Sequence, residues 1–320
     1  MMLVFVAALL LFQGKSVDVS PNDFEEERFP LLMGKERTRG GQNHEMPGYM
    51  FRKILLNDGK PGGEVSPREM AAQLKSNLDR LRVAFFEPKT GRVAYERIRG
   101  SEIYRSYLQL SNNLKALDLK RLDRRQEKIA FWVNLYNVIV IHGVIALGIK
   151  DSVKEVWNFF RRVYYQIGNQ FFSPDDIEHG ILRSNCRPPH SFFRRFSAGD
   201  PRLDLIVEPL DPRIHFTLVC GSSSCPFIEV YTPENLEEEL TLASQAFINS
   251  RGIILDRPQG IISLSRIFEW YAEDFGATRS ERLGFIARYV NNAQDRKFIE
   301  DHADSLKVTY QSYDWRLNRH

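Results

Sequence analysis

The stretch "RRQEKIAFWVNLYNVIVIHGVIALG", residues 124 to 148, constrains this chain more than any other. After a charged start it is apolar almost all round for about 20 residues and is closed by Gly148. A helix without a polar face has to be enclosed on every side, so the spacing predicts a buried central helix with the remaining elements packed around it. Its length and composition would also suit a membrane span. Asn134, Asn137 and His142 inside it, and the dense charge before it, count against that, because uncompensated polar groups are costly in lipid. At about 100° per residue, Asn137 lies about 60° to one side of Asn134 and His142 about 80° to the other. The three form a polar stripe. Either they pin neighbouring loops by hydrogen bonds, or they line a pocket in which an asparagine orients a histidine.

Elements on both sides supply that enclosure. "SPREMAAQLKSNLDRLRVAFF" reads as an amphipathic helix with Ser66 as cap and Pro67 in the first turn; Met70, Leu74, Leu78 and Leu81 recur three and four apart. "SEIYRSYLQLSNNLKAL" repeats the scheme from Ser101. Beyond the central helix the period changes. "VYYQIGNQFF" has two β-prone arms around Gly168-Asn169, a hairpin pattern. "SPDDIEHGILR" starts a helix with Ser173 as cap and acids in its first turn. "LDLIVEPL" and "RIHFTLVC" read as short strands, "TPENLEEELTLASQAFINS" as an amphipathic helix and "GIILDRPQGIISLS" as a second hairpin. Helices follow over 265–275 and 279–302, and "LKVTYQSYDWRLN" closes with a strand. Helices and strands that do not alternate regularly point to an α+β fold. The expectation is a mostly helical single domain, residues 65–320, around the central helix and a small, mainly antiparallel sheet.

Residues 1–64 are set apart. Met1 to Phe12 are unbroken apolar residues, too short for a bilayer and of a length that suits a signal peptide. The rest, with "GKERTRGGQNHEMPG" at its centre, reads as a poorly ordered linker. The chain is secreted if residues 1–16 are a signal peptide and intracellular otherwise. Lys and Arg total 44 against 41 Asp and Glu, a net charge of +3, which offers no basic stripe for nucleic acid and no anionic-membrane signal. No dinucleotide or phosphate-loop fingerprint is present, so no cofactor is expected. A partner would be a small molecule or a protein.

The chemistry-bearing stretch is "HFTLVCGSSSCPF", residues 215 to 227. Read as a strand, 214–220 places Ile214, Phe216, Leu218 and Cys220 on one face and His215, Thr217 and Val219 on the other. A local His215–Cys220 dyad is then not expected, and Cys220 is either a core residue or a nucleophile emerging into the "GSSS" turn. Backbone N–H groups in that turn would lower its pKa. The base would be His179, oriented by Glu178 or Asn137. Cys220 and Cys225 are not spaced as Cys-x-x-Cys, and Pro226 stands where a Cys-x5-Arg loop needs arginine. A zinc site from Cys220, Cys225 and His215, with Cys186 or His179, matches no standard spacing, so no metal is expected.

Five ordered segments carry a resemblance: "AFWVNLYNVIVIHG", "SPDDIEHGILR", "DPRIHFTLVCGSSSCP", "LSRIFEWYAEDFG" and "YDWRLN". Together, over residues 68–318, they resemble the family catalogued as domain of unknown function 547. Positions matching its pattern are Asn134, Tyr136, Asn137, Glu178, His179, Arg183, Asp211, Arg213, His215, Cys220, Ser224, Cys225 and Pro226. Trp270, Tyr271, Asp274, Phe275, Tyr313 and Trp315 match nearer the end. The family implies a domain boundary and no activity. A helix packed on short strands is also similar to papain-like and transglutaminase-like thiol enzymes, which place the nucleophilic cysteine at the start of the central helix. Residues 128–148 contain none. The expected function is a non-catalytic binding or scaffold module. The alternative is a thiol-dependent hydrolase or transferase with Cys220 as nucleophile and His179 as base. Asn134, His142, Arg183, Arg213, His215, Ser224 and Cys225 are further pocket or structural candidates.

Overall fold

The computed structural model describes residues 53–189 and 191–320; the apolar N-terminus and most of the linker lie outside them. Strand β1 (Ile54–Leu55) is followed by helices α1 (Pro67–Phe85), α2 (Tyr95–Arg99), α3 (Glu102–Asn113) and α4 (Arg125–Leu147). The start of α1 is fixed as expected. The Ser66 hydroxyl accepts from the Glu69 amide while the Glu69 carboxylate accepts from the Ser66 amide, so two end donors are satisfied reciprocally. Ser101 caps α3 by accepting from the Tyr104 amide.

The central helix, α4, runs to Gly148, whose φ of 64° supplies the left-handed residue that ends it. It is long and apolar enough to cross a bilayer, yet 94% of its apolar window is buried inside the protein. It is a core helix. Trp132, Leu135, Ile139 and Val140 are all but fully buried, and α1, α2 and strand β2 (Val163–Ile167) pack on it.

Short helix α5 (Phe159–Arg162) leads into β2, and β2 turns back through Gly168 (φ 55°) into β3 (Gln170–Phe172). The hairpin forms as read: Tyr165 faces Phe172 and Ile167 faces Gln170. After α6 (Leu236–Phe247), a second hairpin pairs β4 (Ile253–Asp256) with β5 (Ile261–Leu264). Helices α7 (Ile267–Trp270), α8 (Ala272–Phe275), α9 (Arg279–Ala287) and α10 (Ala293–Asp301) precede β6 (Lys307–Tyr310).

The fold is α+β, with a correction to the sheet. Instead of one mainly antiparallel sheet there are two of three strands, β1-β2-β3 and β4-β5-β6, each with one parallel and one antiparallel pair.

A second correction concerns the two strands expected on either side of residue 210. Pro201–Leu205 and Pro212–Phe216 are 3-10 turns. In each, an aspartate precedes the proline and caps the turn: Asp200 accepts from the Arg202 amide and Asp211 from the Arg213 amide. Proline at the first position lacks the N–H that the turn could not satisfy, and its fixed φ suits helical backbone. "DPRLD" and "DPRIH" are thus the same device used twice, and the apolar alternation that suggested strands is incidental.

Two apolar clusters form the interior. The larger surrounds α4. The smaller gathers Phe216, Phe247, Phe268, Phe275 and Phe285 with Ile262 and Leu283. The Pro212–Phe216 turn joins them, because Ile214 enters the first and Phe216 the second. His215 sits between, and the cleft described next opens along that seam.

Candidate functional site

The cleft measures about 250 Å³ and is lined by side chains from well-separated stretches of chain. Tyr136 comes from α4, Glu178 and His179 from the 176–182 helix, and His215, Leu218 and Cys220 from the turn after Pro212. Trp270 and Tyr271 come from the end of α7, and Tyr313 and Trp315 from the segment after β6.

The "SPDDIEHGILR" helix forms, though as a wide π turn over Asp176–Leu182. The Arg183 amide reaches back to the Glu178 carbonyl at 2.9 Å and that of Asn185 to Gly180 at 3.0 Å, five residues each. Gly180 is required there: a Cβ at this position would fall 2.3 Å from the Phe196 ring. Ser173 caps the start, accepting from the Asp176 amide, and Asp176 is paired with Arg195 at 2.6 Å.

Asp274, at the end of the α8 segment, is the hub. Its carboxylate accepts from Arg183 Nε at 2.6 Å and Nη2 at 2.9 Å, and from His215 Nε2 at 2.7 Å. Burial would raise its pKa, but the His215 and Arg183 hydrogen bonds outweigh that and hold it at about 2. Arg183 Nη1 also donates to His179 Nδ1 at 3.1 Å. An arginine can only donate, so Nδ1 of His179 is the acceptor and the ring proton of the neutral imidazole is on Nε2. Burial pushes His179 down to about 3, and neighbouring Arg183 and His215 add to this. His215 is lowered too, chiefly by burial. Both rings are therefore neutral at physiological pH.

Tyr271 ties these groups together. Its ring stacks on His215 with centroids 4.0 Å apart, Arg183 lies over it at 4.9 Å, and its hydroxyl donates to Glu178 Oε1 at 2.5 Å. Burial, reinforced by the Glu178 charge, raises the phenols of Tyr271 and Tyr136 well above their usual range. Burial also raises Asp175, which pairs with Arg161 at 3.1 Å. Trp270, Tyr313 and Trp315 form an aromatic wall with ring centroids 4.7–5.8 Å apart.

Cys220 and Cys225 are joined in a disulfide, with Cα atoms 6.2 Å apart; Cys186 is free. Gly221, at φ 81°, turns the chain between them. Arg251 donates to the carbonyls of Ser223 and Cys225, and Ser224 accepts from the Asp314 amide, so the turn is anchored on both sides. Among the described residues no group of three or more His, Cys, Asp or Glu side chains is arranged to hold a metal.

The expected site residues fall into two sets. Glu178, His179, His215, Cys220 and Cys225 line the cleft, and Arg183 supports it from behind. The 3-10 turn removes the expectation that His215 and Cys220 face opposite ways, because both reach the same cleft. In this state Cys220 carries no free thiol. Asn134, Asn137, His142, Arg213 and Ser224 serve elsewhere. Asn137 donates to the Thr217 carbonyl and accepts from the Val219 amide, both at 2.9 Å, so it clamps backbone and does not orient a histidine. Asn134 does the same for Tyr231. His142 Nδ1 meets the Tyr165 hydroxyl at 2.6 Å within a cluster of buried tyrosines. Arg213 pairs with Asp211 and Glu237. The sequence reading assigned no role to Asp274, Tyr271 or Asp175. Their signal was present in "YAEDFG" and "SPDDIEH", but nothing local ties Asp274 to residues 59 and 91 positions away.

Fold and cleft together define an α+β domain with a buried Arg–Asp–His network behind an aromatic-walled cleft. Residues 119–248 match the model of the family described as "Protein of unknown function, DUF547", and this part of the chain belongs to that family. The match takes in Tyr136, Glu178, His179, His215 and the cysteine pair, whereas Asp274 and the aromatic wall lie beyond it. No curated protein and no solved structure matches the chain.

Proposed function

We propose that the domain is a binding module whose cleft holds a ligand by stacking it against Trp270, Tyr313 and Trp315 and by accepting its hydrogen-bond donors on Glu178. One observation carries this reading: the groups that would do chemistry are already held by one another. Arg183, His215 and Asp274 are bonded together, His179 accepts from Arg183, and Cys220 is bonded to Cys225. Glu178 accepts from the Tyr271 hydroxyl and its carboxylate also meets that of Tyr136, yet it borders the cleft, and a carboxylate has lone pairs for further donors. Concave, mostly aromatic sites with a few fixed polar groups are the usual form of small-ligand pockets. A flat cation fits that chemistry, since it can stack on indole and phenol faces while donating to a carboxylate.

Titrating the full chain with a short arginine-containing peptide and following tryptophan fluorescence tests this. Saturable quenching is expected, with Glu178→Gln weakening the affinity about tenfold, the size of one charge-assisted hydrogen bond. No saturation at millimolar peptide, or equal affinity in the variant, would remove Glu178 as the acceptor.

A thiol-dependent hydrolase or transferase is the second reading, favoured by the presence of Cys220, His179 and His215 around one cleft. It requires reduction of the disulfide. Hydrolysis of an activated ester by reduced protein, lost in Cys220→Ala, would establish it in place of the first.

A further inference from the structure

The cysteine pair is asymmetric in a way that a purely structural cross-link does not require. Cys225 is 2% exposed, whereas Cys220 is only partly buried, and both line the cleft. Two hydroxyls stand beside both sulfurs, and a backbone N–H is aimed at the buried one. The Cys220 backbone N–H donates to Cys225 Sγ at 3.0 Å, and the Ser222 hydroxyl lies 3.3 Å from Cys225 Sγ and 3.2 Å from Cys220 Sγ. The Tyr313 hydroxyl stands 3.4 Å from Cys225 Sγ and 3.2 Å from Cys220 Sγ. A sulfur surrounded by such donors is a good leaving group, because a thiolate forming there is stabilised as it forms. Reduction would not release the turn, since Arg251 and Asp314 hold it through contacts that do not involve sulfur.

We propose that Cys220–Cys225 is a thiol–disulfide exchange site that takes two electrons from a dithiol substrate, of the class of peptides bearing two cysteines, presented at this cleft. The substrate thiolate attacks Cys220 Sγ and forms a substrate–Cys220 disulfide. The Cys220–Cys225 bond breaks, and its electron pair stays on Cys225 Sγ, held by the Cys220 N–H and the two hydroxyls until solvent protonates it. The second substrate thiolate then attacks the substrate sulfur of the mixed disulfide, releasing substrate disulfide and the Cys220 thiolate. The substrate loses two electrons and the cysteine pair gains them. The step depends on the cysteine pair and its donors and not on the ligand proposed above, so either idea can fail alone.

The test uses the oxidised full chain and a synthetic peptide carrying two cysteines, with alkylation and peptide mapping of every protein thiol over time. One equivalent of peptide disulfide is expected, with Cys220 and Cys225 becoming alkylable together. The rate should exceed that of the urea-unfolded chain by about tenfold or more. A pair that reacts no faster in the native protein than in the unfolded one is a structural cross-link and overturns the proposal. In Cys225→Ala, glutathione disulfide should leave a stable adduct on Cys220. A folded variant that forms no such adduct overturns it equally.

Discussion

Two sets of buried polar side chains lie within this domain, and they are used differently. Asn134 and Asn137, on the central helix, each form a donor and an acceptor bond with one short stretch of backbone. Behind the cleft, Arg183, Asp274, His215, His179 and Tyr271 are joined mainly to one another. Amide-to-peptide pairing has no charge to regulate and fixes geometry. A network of ionisable side chains fixes protonation as well: Asp274 is held anionic and both histidines neutral. Polarity alone on a buried helix is therefore a poor guide to function. What distinguishes the cleft is that its polar groups answer to other side chains and that those groups border open volume.

The largest difference should come from removing the hub. Asp274→Ala leaves the Arg183 cation buried without its carboxylate and His215 without its acceptor, both side chains being at most 5% exposed. Breaking a buried pair in this way costs about 3–5 kcal/mol. Urea denaturation should show that loss, and a change under 1 kcal/mol would mean that Arg183 finds water or another partner.

Acid should act on both regions, because His179, lowered to about 3, and His215, also lowered, lose stability from about pH 6.5 downward as His142 does. His142 belongs to the tyrosine cluster on the central helix, and burial lowers it to about 4 from about 6.5. Its folded pKa is below the unfolded one, so the unfolded chain binds the extra proton as pH falls. Stability is full above about pH 6.5 and declines until about pH 4, by roughly 3 kcal/mol for this residue. Asp274 acts in a lower window. Its stabilising ionisation is complete above about 3.9 and is lost as pH falls toward 2. His142→Phe should reduce the slope of the urea midpoint–pH curve between about pH 6.5 and 4, leaving the part owed to His179 and His215 and the part below pH 4 in place. An unchanged slope in the variant would show that His142 contributes nothing to the upper window.

Asn137→Ala comes next. It leaves the Thr217 carbonyl and Val219 amide unpaired in the interior, at about 2–3 kcal/mol. Because residues 217–219 lead directly into Cys220, this variant should also alter ligand quenching, whereas Asn134→Ala, with a similar cost, should not. Equal effects on the cleft would dissolve the distinction drawn between clamp and site.

How much of this was legible in the sequence follows from the range of the signal. The central helix, the Ser66 cap and the Gly168 hairpin are set by residues within a few positions, and all three form as read. The stretch 201–220 was misread because apolar alternation was weighed above Asp-Pro, although the capping aspartate and the following arginine were visible twice. That error turned His215 away from Cys220. The disulfide could not be read from a spacing of five, since whether such a pair closes depends on the turn made at Gly221. Asp274 was out of reach for another reason: its three bonds go to Arg183 and His215, partners that only the assembled fold brings together.

Tyr271→Phe gives the smallest change and the sharpest comparison. The ring that stacks on His215 and lies under Arg183 is kept, and only the hydroxyl that donates to Glu178 is removed. The hydroxyl bonds an acidic side chain that also borders the cleft, so its loss is open to partial repair by water. The expected cost is about 1 kcal/mol. Binding should respond in the opposite sense to stability. With Tyr271 no longer occupying one oxygen of Glu178, the carboxylate has more acceptor capacity for a cationic peptide, and quenching should occur at equal or lower peptide concentration. If affinity falls instead while stability changes by the expected amount, Tyr271 holds Glu178 in its binding orientation, and the hydroxyl belongs to the site and not only to its support.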